Sequence, residues 1–172
     1  RFEEFANKEP VLLVLGDQLY KSSIHKSCTE QFLKNFSETN KLSVSVCEVD
    51  LDDVSRYGIL CGKINDGEDF FEVIKMVEKP DKSIAKEEYY TKFHNEKKYY
   101  AVFGEYILTE YVFKLLQRNI KNNKKERGEF QITSVLDEVR EKNGMIAFIP
   151  KGKMLDDGNV QAYKNTFIEK SS

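Results

Sequence analysis

The chain has 172 residues, 40% of them hydrophobic and 33% charged, which is the composition of one folded domain that is large enough to bury a core. Its 27 basic and 29 acidic residues give a formal net charge of −2, so no overall basic field favours binding to nucleic acid. The longest aliphatic run, Val11 to Leu15, is far shorter than the roughly 20 apolar residues of a membrane-spanning helix, so a membrane span is excluded as well.

The cysteines indicate the redox environment and the kind of metal site to expect. Cys28, Cys47 and Cys61 show no C-x-x-C spacing, and the sequence contains only two histidines, His25 and His94. An odd number of scattered cysteines is typical of a reducing compartment and argues against a Cys/His zinc site. We therefore expect a cytoplasmic protein.

The first 50 residues alternate between strand and helix patterns. The apolar run from Val11 to Leu15 is typical of a buried strand, and a loop at Asp17 follows it. Capping-box spacing and apolar residues at helical intervals predict a helix from Ser27 to about Glu38. Residues Leu42 to Cys47 alternate between apolar and small polar side chains, which predicts a second strand.

The middle of the chain contains three further strand candidates. Ile59 to Ile64 and Phe71 to Val77 have strand patterns, and Pro80 closes the second because proline cannot donate a ladder hydrogen bond. The polar, lysine-rich segment from Asp81 to Lys98 is expected to be a short helix or a mobile insertion. Tyr99 to Phe103 then has a strand pattern.

The last third of the chain has three helix patterns and one strand. Helices are predicted over Glu110 to Ile120, with Thr109 as the N-cap, and over Thr133 to Lys142 and Asn159 to Phe167, with a strand over Met145 to Ile149. The basic run from Lys121 to Arg127 is interpreted as a solvated loop rather than a phosphate patch. Since strands and helices alternate along most of the chain, we predict the α/β class with a mixed, mainly parallel sheet.

Charged side chains follow three of the predicted strands. In open α/β sheets, ligands bind beyond the carboxyl ends of the strands. Asp17 follows the first strand, Glu78 and Lys79 follow another, and Asp156 and Asp157 follow the last. Two carboxylates at one sheet edge can hold Mg²⁺, and a lysine beside them can bind phosphate. From spacing alone, however, each of these residues is more typical of a turn or a helix cap.

Four motifs in series resemble those of a known family. They are Asp53–Gly58 (DVSRYG), Val77–Pro80 (VEKP), Gly128–Thr133 (GEFQIT), and Lys151–Lys153 (KGK) before Asp156–Asn159 (DDGN). In order and approximate spacing they resemble the bacterial-type UTP–glucose-1-phosphate uridylyltransferases, which belong to the sugar-nucleotide nucleotidyltransferases. The resemblance extends from about Pro10 to Phe167. It implies a Rossmann-like nucleotidyltransferase fold and a Mg²⁺ cofactor.

The implied reaction converts UTP and glucose 1-phosphate into UDP-glucose and pyrophosphate, and relatives assemble as homo-oligomers. By match to the family's motifs, Asp17 and Asp156 would bind the metal. Lys79 would hold the sugar phosphate. These three residues would therefore carry the chemistry, in which two polyanions must be neutralised and aligned without a covalent nucleophile.

The same resemblance implies a set of sugar-binding residues. Glu78 would accept hydrogen bonds from sugar hydroxyls, next to Lys79. The backbone of Gly58 would lie against the sugar ring, because a residue without a Cβ allows close approach. Glu129 and Gln131 would support the sugar pocket.

The sequence also departs from the family. Its nine glycines form no G-x-G motif, so the glycine-rich loop that cradles the nucleotide triphosphate is missing. We expect residues 1–172 to be one nucleotidyltransferase domain without its N-terminal nucleotide-binding segment, and the first residue, Arg1, favours a fragment of a longer enzyme. The alternative is a non-catalytic module that senses sugar phosphates. Gln18, Glu105 and Asp157 also differ from the residues common in relatives.

Overall fold

The computed structural model describes residues 6–125 and 132–156. In these ranges the strands form a seven-stranded sheet and a two-stranded sheet, and helices flank the larger one. The strands are β1 (Val11–Val14), β2 (Gln18–Ser22), β3 (Leu42–Val49), β4 (Gly58–Lys63), β5 (Phe70–Glu78), β6 (Thr91–Phe93), β7 (Glu96–Leu108), β8 (Met145–Phe148) and β9 (Gly152–Asp156). The helices are α1 (Cys28–Thr39), α2 (Lys82–Glu88), α3 (Glu110–Lys121), α4 (Ile132–Asn143) and a short 3₁₀ helix (Val54–Arg56).

The larger sheet has the strand order β1-β7-β3-β8-β5-β4-β6. The α/β class and the mixed sheet are confirmed, but the expectation of a mainly parallel sheet is wrong for the described residues. There, only the β3–β8 and β4–β6 pairs run parallel. The reason is that β4–β5 and β6–β7 are consecutive strands joined by short connections, which force antiparallel pairing.

Helix α1 begins and ends as its sequence predicts. The Ser27 backbone N–H donates to Glu30 Oε2 at 2.8 Å, and the Glu30 backbone N–H donates to Ser27 Oγ at 3.1 Å, which completes a capping box. The helix ends at Asn40, whose left-handed φ of 50° stops the helical hydrogen-bond pattern. Helix α4 ends in the same way at Gly144, with a φ of 77°.

Several segments differ from their sequence interpretation. Strands β2 and β9, which form the two-stranded sheet, have no counterpart among the strands that the sequence predicts. The segment Asp81–Lys98 contains α2, β6 and the start of the long strand β7, and so it is an ordered part of the fold. Thr109 precedes α3 as predicted, but its side chain makes no capping hydrogen bond. The helix predicted over Asn159–Phe167 lies outside the described residues.

Helices cover both faces of the larger sheet. Adjacent residues in a strand point to opposite faces, and on β8 Ala147 packs in the cluster formed with α3 and α4, whereas Phe148 packs against Phe32 of α1. A smaller cluster around Ala85 joins α2 to β4 and β7. None of the helices in the described ranges is long and apolar enough to span a bilayer.

Candidate functional site

A cavity of about 310 Å³ opens where β4 begins and β5 ends. Its walls include three residues that the sequence predicts as sugar-phosphate ligands, Gly58, Glu78 and Lys79. Strand pairing brings them together, because antiparallel β4 and β5 place the Cα of Gly58 opposite that of Glu78. Pairing of these two consecutive strands thus gathers residues from two separate motifs at one site.

The Glu78 carboxylate lies directly over Gly58. A Cβ atom on Gly58 would come within 3.0 Å of Glu78 Oε2, which is closer than nearly all contacts of real Cβ atoms. A side chain at position 58 would therefore push this carboxylate aside by a few tenths of an ångström. The structure thus gives a second reason for a glycine at position 58, besides the predicted close approach of a sugar ring.

Lys79 has an unusual backbone conformation. Its φ is 47°, in the left-handed region that non-glycine residues rarely adopt. The Lys79 backbone N–H donates to the Tyr57 carbonyl at 3.1 Å, which anchors this turn to the segment before β4. The side chain is exposed at the cavity. Residues held in sparsely populated conformations cluster at functional sites, so this strain is a signal independent of the motif.

Other residues of the cavity wall were not singled out by the sequence analysis. Tyr106 of β7 is one of them, and burial together with the nearby Glu78 charge raises its pKa to about 12. The Arg56 guanidinium also lines the cavity, 3.1 Å from Asp53 Oδ1 and 5.2 Å from the centre of the Tyr57 ring. Arg56 could have been found, because it lies two residues before Gly58 in the same motif.

The two predicted metal ligands lie near each other along the backbone of the smaller sheet. Asp17 is an exposed turn residue between β1 and β2, and the β2–β9 register places Gln18 opposite Asp156. Asp17 is thus one position away from the residue that pairs with Asp156. Because Leu15 and Gln18 line the cavity described above, this turn adjoins the predicted sugar-phosphate residues.

Of the two predicted metal-ligand side chains, only that of Asp17 is among the side chains that the structure describes. Among those described side chains, which do not include Asp156, no group of three or more His, Cys, Asp or Glu could hold a metal ion. The predicted residues Glu129, Gln131 and Asp157 lie outside the described ranges. Ile132 and Thr133, at the start of α4, line the cavity.

Comparison with known proteins relates the whole chain to one family. The nucleotidyl transferase family model matches residues 1–170. Among curated proteins, a UTP–glucose-1-phosphate uridylyltransferase 2 of Streptococcus pyogenes is 27% identical over 167 residues, which cover 96% of this chain and 51% of that protein. The chain therefore spans about half the length of the curated relatives that it matches.

Solved structures resemble the fold over nearly the full chain. An apo UDP-glucose pyrophosphorylase superposes with a TM-score of 0.79 and 29% identity, covering 99% of this chain and 58% of that one. A UDP-glucose pyrophosphorylase complexed with UDP-glucose gives a TM-score of 0.76 and 29% identity, covering 98% and 59%. A UTP-bound enzyme from Acinetobacter baumannii, with a TM-score of 0.77, 17% identity and coverage of 98% and 53%, resembles the fold alone.

Proposed function

The chain belongs to the nucleotidyl transferase family, and from this premise we propose that it supplies the sugar-phosphate and metal part of a uridylyltransferase site. The reaction joins UTP to glucose 1-phosphate and yields UDP-glucose and pyrophosphate. One observation carries the proposal: Gly58, Glu78 and Lys79, which come from two distant motifs, line a single cavity.

The substrate class rests on the relatives and on the size of the cavity. A matched Streptococcus pyogenes protein is named a UTP–glucose-1-phosphate uridylyltransferase, and a matched structure contains UDP-glucose. The cavity volume of about 310 Å³ lies at the lower end of the range for small-molecule sites, roughly 300–1,000 Å³. A hexose phosphate is a ligand of this scale.

The residues of the cavity suit a reaction between two polyanions. A phosphate oxygen of the sugar attacks the α-phosphorus of UTP, the bond to the β-phosphate breaks, and pyrophosphate leaves with its electron pair. No covalent intermediate with the protein is needed, so the protein must mainly align the groups and offset their charge. Lys79 binds the acceptor phosphate, and Glu78 orients the sugar by accepting hydrogen bonds from its hydroxyls.

Asp17 and Asp156 are the residues that would hold Mg²⁺, through their carboxylates. Hard cations prefer oxygen ligands, and Mg²⁺ commonly keeps several waters and binds through one or two carboxylates plus substrate phosphates. The β2–β9 register supports this pairing, since Asp156 faces the residue next to Asp17. When bound, Mg²⁺ supplies charge neutralisation for the phosphates.

A pyrophosphate-release assay with UTP, glucose 1-phosphate and Mg²⁺ tests the proposal. It compares the 172-residue chain with the complete product of its gene and with the Asp17→Asn variant of that product. We expect turnover in the complete product and its loss in Asp17→Asn. Wild-type rates in Asp17→Asn would refute the metal assignment. No turnover in any form, with glucose 1-phosphate still bound, would favour the non-catalytic sensing module.

A further inference from the structure

A second cavity, of about 270 Å³, lies beside the first, between β2, the start of α1 and β7. Gln18 lines both cavities, and Glu105 of β7 lines the second. We name the second one the Glu105 cavity. Glu105 is 1% exposed, which is rare for a glutamate because removing a carboxylate from water is costly.

The Glu105 carboxyl group is only half satisfied by hydrogen bonds. The Thr29 hydroxyl, in the first turn of α1, donates to Glu105 Oε1. In the part of the chain that the structure describes, Glu105 Oε2 is buried without a hydrogen-bond partner. A buried acceptor without a donor costs free energy, and an ionised one costs more, so this oxygen calls for a physical explanation.

Gln18, which also lines the Glu105 cavity, presents the same problem. Its side-chain oxygen, Oε1, is also buried without a donor among the described residues. That oxygen packs onto Gly104, the residue before Glu105, so closely that a Cβ atom on Gly104 would clash with it. Gly104 adopts a φ of 54°, which suits a residue without a side chain. Two acceptors that each lack a donor therefore border one small space.

We propose that Glu105 is a neutral carboxylic acid whose Oε2 hydroxyl donates a hydrogen bond to Gln18 Oε1. One proton then gives both Glu105 Oε2 and Gln18 Oε1 a hydrogen-bond partner. Glu105 Oε1 keeps its hydrogen bond from the Thr29 hydroxyl. Glu105 is in this account a positioning residue. It fixes Gln18, which follows Asp17 in the chain and forms part of the wall of the larger cavity.

The surroundings of Glu105 favour its neutral form. Burial raises the pKa of Glu105, and the smaller effect of the Thr29 hydrogen bond lowers it. The titratable groups that face it are Tyr20 of β2 and Cys28 of α1, and burial is the main cause that raises the pKa of each. Neither group offers a positive charge that would stabilise a carboxylate.

A rival arrangement turns the Gln18 amide around, so that its NH₂ group donates to an ionised Glu105. The two arrangements predict opposite titrations, because a hydrogen bond to the charged form lowers a pKa, whereas a hydrogen bond from the neutral acid raises it. Carboxyl ¹³C NMR of the 172-residue chain, without substrate, separates them. The Glu105 signal is assigned by its loss in Glu105→Gln.

We expect the Glu105 signal to titrate at a pH clearly above about 4.3, the value of a glutamate in an unfolded peptide. The Gln18 side-chain amide signals should move with the same midpoint. Gln18→Met should lower the Glu105 midpoint, since it removes the acceptor of the acid proton. A Glu105 midpoint at or below 4.3, or one that Gln18→Met leaves unchanged, would overturn the proposal. The measurement does not depend on the proposed function.

The stability of the Glu105→Gln variant gives a second test of whether Glu105 is neutral. The variant's amide can donate to Gln18 and accept from Thr29 at every pH, as the neutral acid does. A raised folded-state pKa contributes stability that is full below about 4.3 and is lost as the pH rises through the raised value. The wild-type Tm should therefore fall over that rise, while the Tm of Glu105→Gln stays level. A Glu105→Gln protein as unstable as Glu105→Ala would contradict the proposal.

Discussion

Lys79 combines backbone strain with a predicted contact to phosphate. A lysine with a φ of 47° is held in a conformation that costs roughly 1–2 kcal/mol relative to a right-handed or extended one. The hydrogen bond from its backbone N–H to the Tyr57 carbonyl fixes this turn at the cavity. The strained turn places Lys79 at the cavity.

Lys79→Gly should therefore stabilise the fold while weakening the site. Glycine adopts a positive φ at no steric cost, and after its greater entropy in the unfolded chain is subtracted, we expect a gain of up to about 1 kcal/mol. Thermal unfolding measures it. Lys79→Met is the matched control, because it removes the charge and keeps the strain. A Lys79→Gly variant less stable than Lys79→Met would show that the conformation is not strained.

Gly58→Ala should impair sugar-phosphate binding with little change in stability. The new Cβ would displace the Glu78 carboxylate, which ends a flexible side chain and can move at small cost to the fold. Titration with glucose 1-phosphate gives the dissociation constants of the single variants and of the Gly58→Ala/Glu78→Ala double variant. If the displaced carboxylate is the cause, Gly58→Ala has no further effect once Glu78 is alanine. Additive losses would refute this coupling.

At the scale of elements, the two N-caps differ in a way that predicts different contributions to stability. Ser27 exchanges hydrogen bonds with Glu30 at the start of α1, whereas Thr109 before α3 makes no side-chain capping bond. Ser27→Ala should lower the free energy of unfolding by about 1 kcal/mol, and Thr109→Ala by much less. Urea unfolding of both variants checks this, and equal losses would contradict the role of the capping box.

An ion-pair cluster joins α3 to α4 and should make their packing sensitive to acid. Arg118 Nη1 of α3 lies 2.9 Å from Glu138 Oε1 of α4, and Lys142 Nζ lies 2.7 Å from the same oxygen. Hydrogen bonds from these two cations lower the pKa of Glu138 to about 2. A depressed pKa contributes stability above the unfolded value of about 4.3, and that stability is lost as the pH falls towards 2.

Glu138→Gln should thus destabilise the protein at neutral pH and have little effect near pH 2. The loss at neutral pH should be modest, because solvent screens this partly exposed cluster. Thermal unfolding from pH 2 to pH 7 of the wild type and Glu138→Gln measures the difference. A gap between the two proteins that is the same at both ends of this range would rule out the assigned titration.

At the scale of the whole molecule, the sequence predicted most helices and strands but not how the strands pair. Apolar runs and alternating patterns predict strands such as β1 and β3. The same patterns fit parallel and antiparallel neighbours, so they do not predict the direction in which strands pair. Strands β2 and β9 were missed because their half-polar segments acquire their structure by pairing with each other. Local pattern cannot encode a partner more than 100 residues away.

The sequence also predicted only some of the residues at the candidate site. Motif residues gave Gly58, Glu78 and Lys79, and the pairing of β4 with β5 brings them to one cavity. Glu105 could not be identified as buried, because it lies beyond the predicted strand Tyr99–Phe103 and has no local sign of what will cover it. Its burial follows from α1 packing beside β7, where Thr29 contacts it.

We propose above all that the cavity where β4 begins and β5 ends binds a hexose 1-phosphate through Lys79. Calorimetric titration of glucose 1-phosphate into the wild type, Lys79→Met and the surface control Lys86→Met tests it most directly. A hydrogen bond to a charged group is worth about 1.5–3 kcal/mol, so Lys79→Met should weaken binding about 10- to 100-fold, with Lys86→Met unchanged. Equal affinity in Lys79→Met and the wild type, or no binding to any of the three proteins, would contradict the account.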